Sequence, residues 1–88
     1  MKLATGIGYS GASMRIDMDF VLDVERLGYD SIWTAEAYGS DAVTPLAYIA
    51  ALTTKIKLGT SIMQIPGRTP AMCAMTMPTL DDISGGRA

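Results

Sequence analysis

The chain has 88 residues, 49% of them hydrophobic and 18% charged, and a formal net charge of −2. At that length one domain is the ceiling, and the apolar content excludes intrinsic disorder as the main state. The absence of a Lys/Arg excess excludes a nucleic-acid binder driven by charge. Residues 1–88 are therefore read as a single domain, and the apolar excess suggests part of a larger buried core.

The first predicted element is a short extended segment from Leu3 to Tyr9, followed by a Gly/Ser-rich loop. Phe20, Val21, Val24 and Leu27 then fall at helical spacing, with Asp17 placed to cap the start and Gly28 to stop the end. Ser31-Ile32-Trp33-Thr34-Ala35 reads as a second strand ending at Glu36. Thr44-Pro45 predicts a helix start with Thr as N-cap and Pro at the first helical position, where its missing donor costs nothing. Leu46, Ile49, Ala50 and Thr53 form that helix's inward stripe, and Lys55 suits the negative end of its dipole. Ile56 to Met63 reads as a third strand, and Thr69-Pro70 repeats the helix start. The last helix runs toward Ile83, kinked or divided by Pro78, and Ser84-Gly85-Gly86-Arg87 closes it as a loop.

The order β-α-β-α-β-α predicts parallel strands with right-handed crossovers. An open doubly wound sheet and a (β/α)8 barrel both have this rhythm. A complete barrel needs about 250 residues. The fold class is α/β, and the chain reads as the first three βα units of a (β/α)8 TIM-type barrel, incomplete as a barrel. No apolar run approaches the roughly 18 residues of a membrane span, and the start lacks the apolar segment of a signal peptide. The expected setting is soluble and cytoplasmic, with neither membrane nor nucleic acid as partner.

Much chemistry is already excluded. With no His, there is no Ser–His or Cys–His nucleophile pair and no common His/Cys zinc site; the lone Cys73 cannot form an intrachain disulfide. Gly6-Ile7-Gly8-Tyr9-Ser10-Gly11 matches the letters of the dinucleotide fingerprint, with Glu36 in the ribose-binding part. Those glycines should open a helix directly, yet helical periodicity starts several residues later. They serve equally to keep a barrel strand slim or to form a loop. Glu36 stands at the carboxyl end of a strand, where α/β folds gather ligand-binding groups. It could orient a substrate, accept a proton or pair with a basic group; the bland reading is a partly solvated loop acid. Arg68, just before a helix start, is an anion ligand or a solvated loop arginine. Cys73, Met72, Met75 and Met63 fit core packing better than a metal or cofactor box.

Two stretches carry a resemblance. They are Glu25-Arg26-Leu27-Gly28-Tyr29-Asp30-Ser31-Ile32-Trp33-Thr34-Ala35-Glu36-Ala37-Tyr38-Gly39 and Leu58-Gly59-Thr60-Ser61-Ile62-Met63-Gln64-Ile65-Pro66-Gly67-Arg68-Thr69-Pro70-Ala71-Met72. Both resemble the luciferase-like monooxygenase superfamily and, within it, the oxidoreductases that use the deazaflavin coenzyme F420. Leu80-Asp81-Asp82-Ile83-Ser84-Gly85-Gly86-Arg87 fits the same family, where this phrase leads into a fourth strand. The resemblance runs collinearly through nearly the whole chain.

It implies a (β/α)8 barrel with coenzyme F420, or alternatively FMN, at the carboxyl ends of the strands. It places Gly8, Thr60, Ser61 and Ile62 at the cofactor, with a non-prolyl cis peptide at Ser61–Ile62 and Glu36 in the active site as the catalytic candidate. The ordinary alternative puts Ile62 in the core at a plain strand end. The implied reaction is reversible hydride transfer to or from a small organic substrate: an alcohol, an aldehyde, a pterin-type carrier or an activated alkene. Two departures matter: Pro78 replaces a helix former, and the chain stops before the fourth strand. The 88 residues alone are accordingly expected to be inactive and to self-associate or be molten, and the protein is expected to be a homo-oligomer. Two other readings stay open: a Rossmann-type half that binds a nicotinamide dinucleotide, and a non-catalytic, oligomerising half-barrel.

Overall fold

The computed structural model describes residues 1–8, 11 and 13–88. Within them lie β1 (Ala4–Gly8), α1 (Met18–Arg26), β2 (Ser31–Thr34), α2 (Val43–Leu52), β3 (Lys57–Thr60) and α3 (Pro70–Ile83). Each helix returns the chain to the same end of the sheet, so the strands are parallel, in the order β1-β2-β3. This is the α/β arrangement with which a (β/α)8 barrel begins.

Strand alternation sorts the side chains onto two faces. Ile32, Thr34 and Leu58 are buried beneath the helices, against Val21 and Val24 of α1, Leu46, Ile49 and Ala50 of α2, and Leu80 of α3. On the opposite face Gly6, Trp33 and Gly59 share one register row. The Trp33 indole Nε1–H donates to Ser31 Oγ at 2.8 Å. Its six-membered ring covers Gly59 so closely that a Cβ there would stand 2.5 Å from Cε3 and Cζ3.

The helix ends follow local chemistry, with one exception. Asp17 accepts from the Phe20 N–H, Thr69 from the Met72 N–H, and Gly28 takes φ +84° just after α1. Thr44 is not the N-cap of α2. That helix starts at Val43, and Asp41 Oδ2 accepts from the Val43 and Thr44 N–H groups at 3.0 and 2.9 Å. An acid two residues before the helix reaches both orphan donors, which leaves Thr44 and Pro45 inside the first turn. Lys55 lies past the last turn of α2.

Several expected packing assignments shift. Val21 and Val24 are buried, but Phe20 and Leu27 are 42% and 68% exposed. The helix is rolled so that Glu25 borders the buried stripe and accepts from the backbone N–H groups of Thr54, Lys55 and Ile56. β2 ends at Thr34 and β3 at Thr60, both shorter than their apolar runs. α3 continues through Pro78 undivided, with the Thr79 hydroxyl donating to the Met75 carbonyl. Met72 and Met75 are exposed rather than packed in the core.

Gly85 and Gly86 both adopt positive φ, and they bring Arg87 back beneath α2. Its guanidinium donates to the carbonyls of Ala50, Thr53, Ile56 and Ser84 and to Thr53 Oγ1. The Arg87 carbonyl accepts from the Leu58 N–H at 2.7 Å, occupying a β3 backbone donor.

Two stability outcomes follow. Gly59→Ala should lower stability by about 1–3 kcal/mol through overpacking against Trp33, with Trp33→Leu recovering part of the loss, as read by urea melts followed by circular dichroism. Arg87→Met should cost at least about 2 kcal/mol in the same melts, because it leaves several carbonyls without their donor.

Candidate functional site

The carboxyl ends of the three strands are joined beyond the strands themselves. The Ala35 N–H donates to the Gly8 carbonyl at 3.3 Å, Ser61 N–H to Thr34 at 2.6 Å, and Glu36 N–H to Ile62 at 3.1 Å. The pairing of β1 with β2 shifts register between Gly6 and Gly8, and Gly8 takes φ +67° with open space where a Cβ would point. The Ser61–Ile62 peptide is cis, as the resemblance implies. Ile62 is 71% exposed, so it is not the core residue of an ordinary strand end. Gly8, Thr60, Ser61 and Ile62 thus lie along one rim of the sheet.

Glu36 is held at both oxygens. Oε1 accepts from the Gln64 N–H at 2.6 Å and Arg68 Nε at 3.4 Å. Oε2 accepts from the Ala42 N–H at 2.8 Å and Arg68 Nη2 at 2.7 Å. Of the three roles open to this carboxylate, pairing with a basic group is the one seen. Its side chain is only 9% exposed. The Arg68 hydrogen bond, helped by the Gln64 and Ala42 N–H groups and opposed by burial, pulls its pKa from 4.5 to about 2.

Arg68 is neither a solvated loop residue nor an open anion ligand. Its side chain is 17% exposed and lies between Glu36 and, at 3.7 Å, Asp41. Glu36 and Asp41 raise its pKa further. Burial pushes the Asp41 carboxyl up, but the Thr44 and Val43 donors and Arg68 together hold it below its usual range. Gln64 Nε2 donates back to the Ala37 carbonyl at 2.8 Å. Glu36, Ala37, Ser40, Asp41, Gln64 and Arg68 border a polar hollow of about 300 Å3. A larger, more apolar hollow of about 340 Å3 lies elsewhere, between Met14, Ile16, Thr44, Pro45 and Tyr48.

Sequence reasoning singled out Glu36 and Arg68 separately and missed Gln64. The available signal was topological: opposite charges following the ends of two consecutive parallel strands are brought side by side. The glycine fingerprint does not take its dinucleotide form. Gly6 and Gly8 lie within β1, and the first helix starts only at Met18; Tyr9, Ser10 and Ala12 fall outside the described residues. Among the described residues no group of His, Cys, Asp and Glu could hold a metal ion, and no helix is long and apolar enough to cross a membrane.

Because the folded pKa of Glu36 is depressed, its stabilising contribution is complete above about pH 4.5 and lost as the pH falls toward 2. Urea melts across that window should therefore show a steeper loss of stability for the native chain than for Glu36→Gln. Parallel profiles would contradict the assignment.

The family model for luciferase-like monooxygenases matches residues 2–88. The chain is 48% identical over 88 residues to a Mycobacterium tuberculosis protein provisionally named a coenzyme F420-dependent oxidoreductase; the match covers 99% of this chain and 25% of that protein. It is 37% identical over 65 residues to the 5,10-methylenetetrahydromethanopterin reductase of Methanolobus tindarius, covering 73% of this chain and 20% of that one. It is 31% identical over 80 residues to the F420-dependent glucose-6-phosphate dehydrogenase of Kineococcus radiotolerans, covering 80% and 24%. The chain thus spans about a quarter or less of the length of these relatives. With three parallel βα units and a family match along nearly its whole length, the chain belongs to the luciferase-like monooxygenase family.

Proposed function

We propose that the chain forms one flank of the cofactor site in a coenzyme F420-dependent oxidoreductase, with FMN as the alternative cofactor. The observation that carries this reading is the collinear match to a protein named for F420 dependence, at 48% identity over 88 residues. The strand-end rim fits a flat ring. Gly8 leaves open space and Ile62 offers an exposed apolar side chain, with the hydroxyl residues Thr60 and Ser61 just before it in the chain. When bound, the cofactor supplies hydride exchange with a small organic substrate, while the protein provides orientation and electrostatics.

In this proposal Gly8, Thr60, Ser61 and Ile62 bound the ring, and Glu36 belongs to the active site as a group ionised at neutral pH. Homo-oligomerisation is part of the same proposal. In it the 88 residues, which span about a quarter of the length of the F420-named relative, contribute one side of the pocket.

The test is a titration of the product of the longest reading frame containing this chain with F420, FMN and a nicotinamide dinucleotide, followed by absorbance and fluorescence. Saturable F420 binding, with substrate-dependent loss of the oxidised cofactor's absorbance, is expected. Tight nicotinamide binding with neither deazaflavin nor flavin binding would overturn the proposal.

A further inference from the structure

We infer that Glu36 is a positioning residue: with Arg68 it latches the loop after β3 onto the loop after β2, and it takes no part in proton transfer. The functional half of this inference rests on the reading of the strand ends as a cofactor site; the latch itself does not. Residue 36 holds the segment after β3 at three points. Its N–H donates to the Ile62 carbonyl, and its carboxylate accepts from the Gln64 N–H and from the Arg68 guanidinium. Gln64 closes the loop by donating to the Ala37 carbonyl. A fourth contact, from the Ala42 N–H, ties the same carboxylate to the start of α2.

The geometry also argues against a catalytic acid or base. An ionised carboxylate offers about four lone-pair directions, and here two N–H donors meet each oxygen. Nothing is left to receive a substrate proton without first breaking a contact that orders the loop. Asp41, the other carboxylate of the hollow, is tied to the start of α2 through Oδ2, which accepts from the Val43 and Thr44 N–H groups. Arg68 in turn is neutralised by Glu36 on one side and Asp41 on the other, so its role is internal. Ile62 and Ser61, which border the proposed ring site, sit just ahead of the Gln64 anchor. Loosening the latch would displace them before it disturbed the helix-covered core.

The test uses amide hydrogen exchange on the product of the longest reading frame containing this chain, without added cofactor. Glu36→Gln and Arg68→Met should each raise exchange at Gln64 and Ala42 by roughly tenfold or more, the effect of one charge-assisted hydrogen bond. Ile56, whose N–H is held by Glu25, should remain protected and serves as the internal reference. If either variant loses Ile56 protection as well, Glu36→Asp keeps the charge but shortens the reach, and Gln64 should still exchange faster than in the native chain. Unchanged Gln64 and Ala42 protection in the variants that keep Ile56 protected would overturn the latch.

The product of the longer reading frame supplies the second readout. Glu36→Gln should weaken F420 binding by roughly tenfold and leave the shape of the kcat pH profile unaltered. Loss of one limb of that profile with F420 affinity intact would identify Glu36 as an acid or base and reject the positioning role. If F420 does not bind the native product at all, the proposed cofactor fails, while the exchange result still decides whether the latch exists.

Discussion

Four-residue parallel strands leave nearly as many backbone groups at their ends as within their ladders, and those groups must find partners where a core is thin. The protein meets this constraint with a carboxylate at each end of the β2–β3 pair. At the amino ends, Glu25 collects three consecutive N–H groups on the way into β3, and Arg87 takes the neighbouring carbonyls. At the carboxyl ends, Glu36 collects N–H groups from two loops, and Arg68 balances its charge. The roll of α1 and the course of the chain along the strand-end rim go with these two knots.

On the proposed cofactor site, the distinction between the ends is functional. The Glu25–Arg87 knot joins α1, the end of α2 and the last residues around the entry to β3, where no cofactor is proposed. The Glu36–Arg68 knot borders the proposed ring site, where movement of a loop changes what a ligand meets. In the proposed reading, similar chemistry serves folding at one end and the precision of a binding surface at the other.

Local chemistry was legible in the sequence wherever it was self-contained. Asp17, Gly28 and Thr69-Pro70 each mark a helix terminus within a few residues, and all three positions match. Thr44-Pro45 carries the same local signal as Thr69-Pro70, but Asp41 lies close enough upstream to move the start forward. Phe20 and Leu27 fit a helical stripe, and only the distant N–H groups awaiting Glu25 reveal why the helix turns them outward. At the strand ends, the place of Glu36 after β2 was legible from the strand pattern, and the cis Ser61–Ile62 bond through resemblance. The Glu36–Arg68 pair was not, because it forms only when the two strand ends become neighbours.

The row Gly6–Trp33–Gly59 has a consequence for how this sequence can vary. Because the Trp33 ring occupies the space above the Gly59 Cα, positions 33 and 59 cannot drift independently. A chain with any side chain at 59 needs something smaller at 33, or the same ring turned aside. The two positions are therefore sterically coupled across the β2–β3 pair by a single ring, and a change at one is felt at the other.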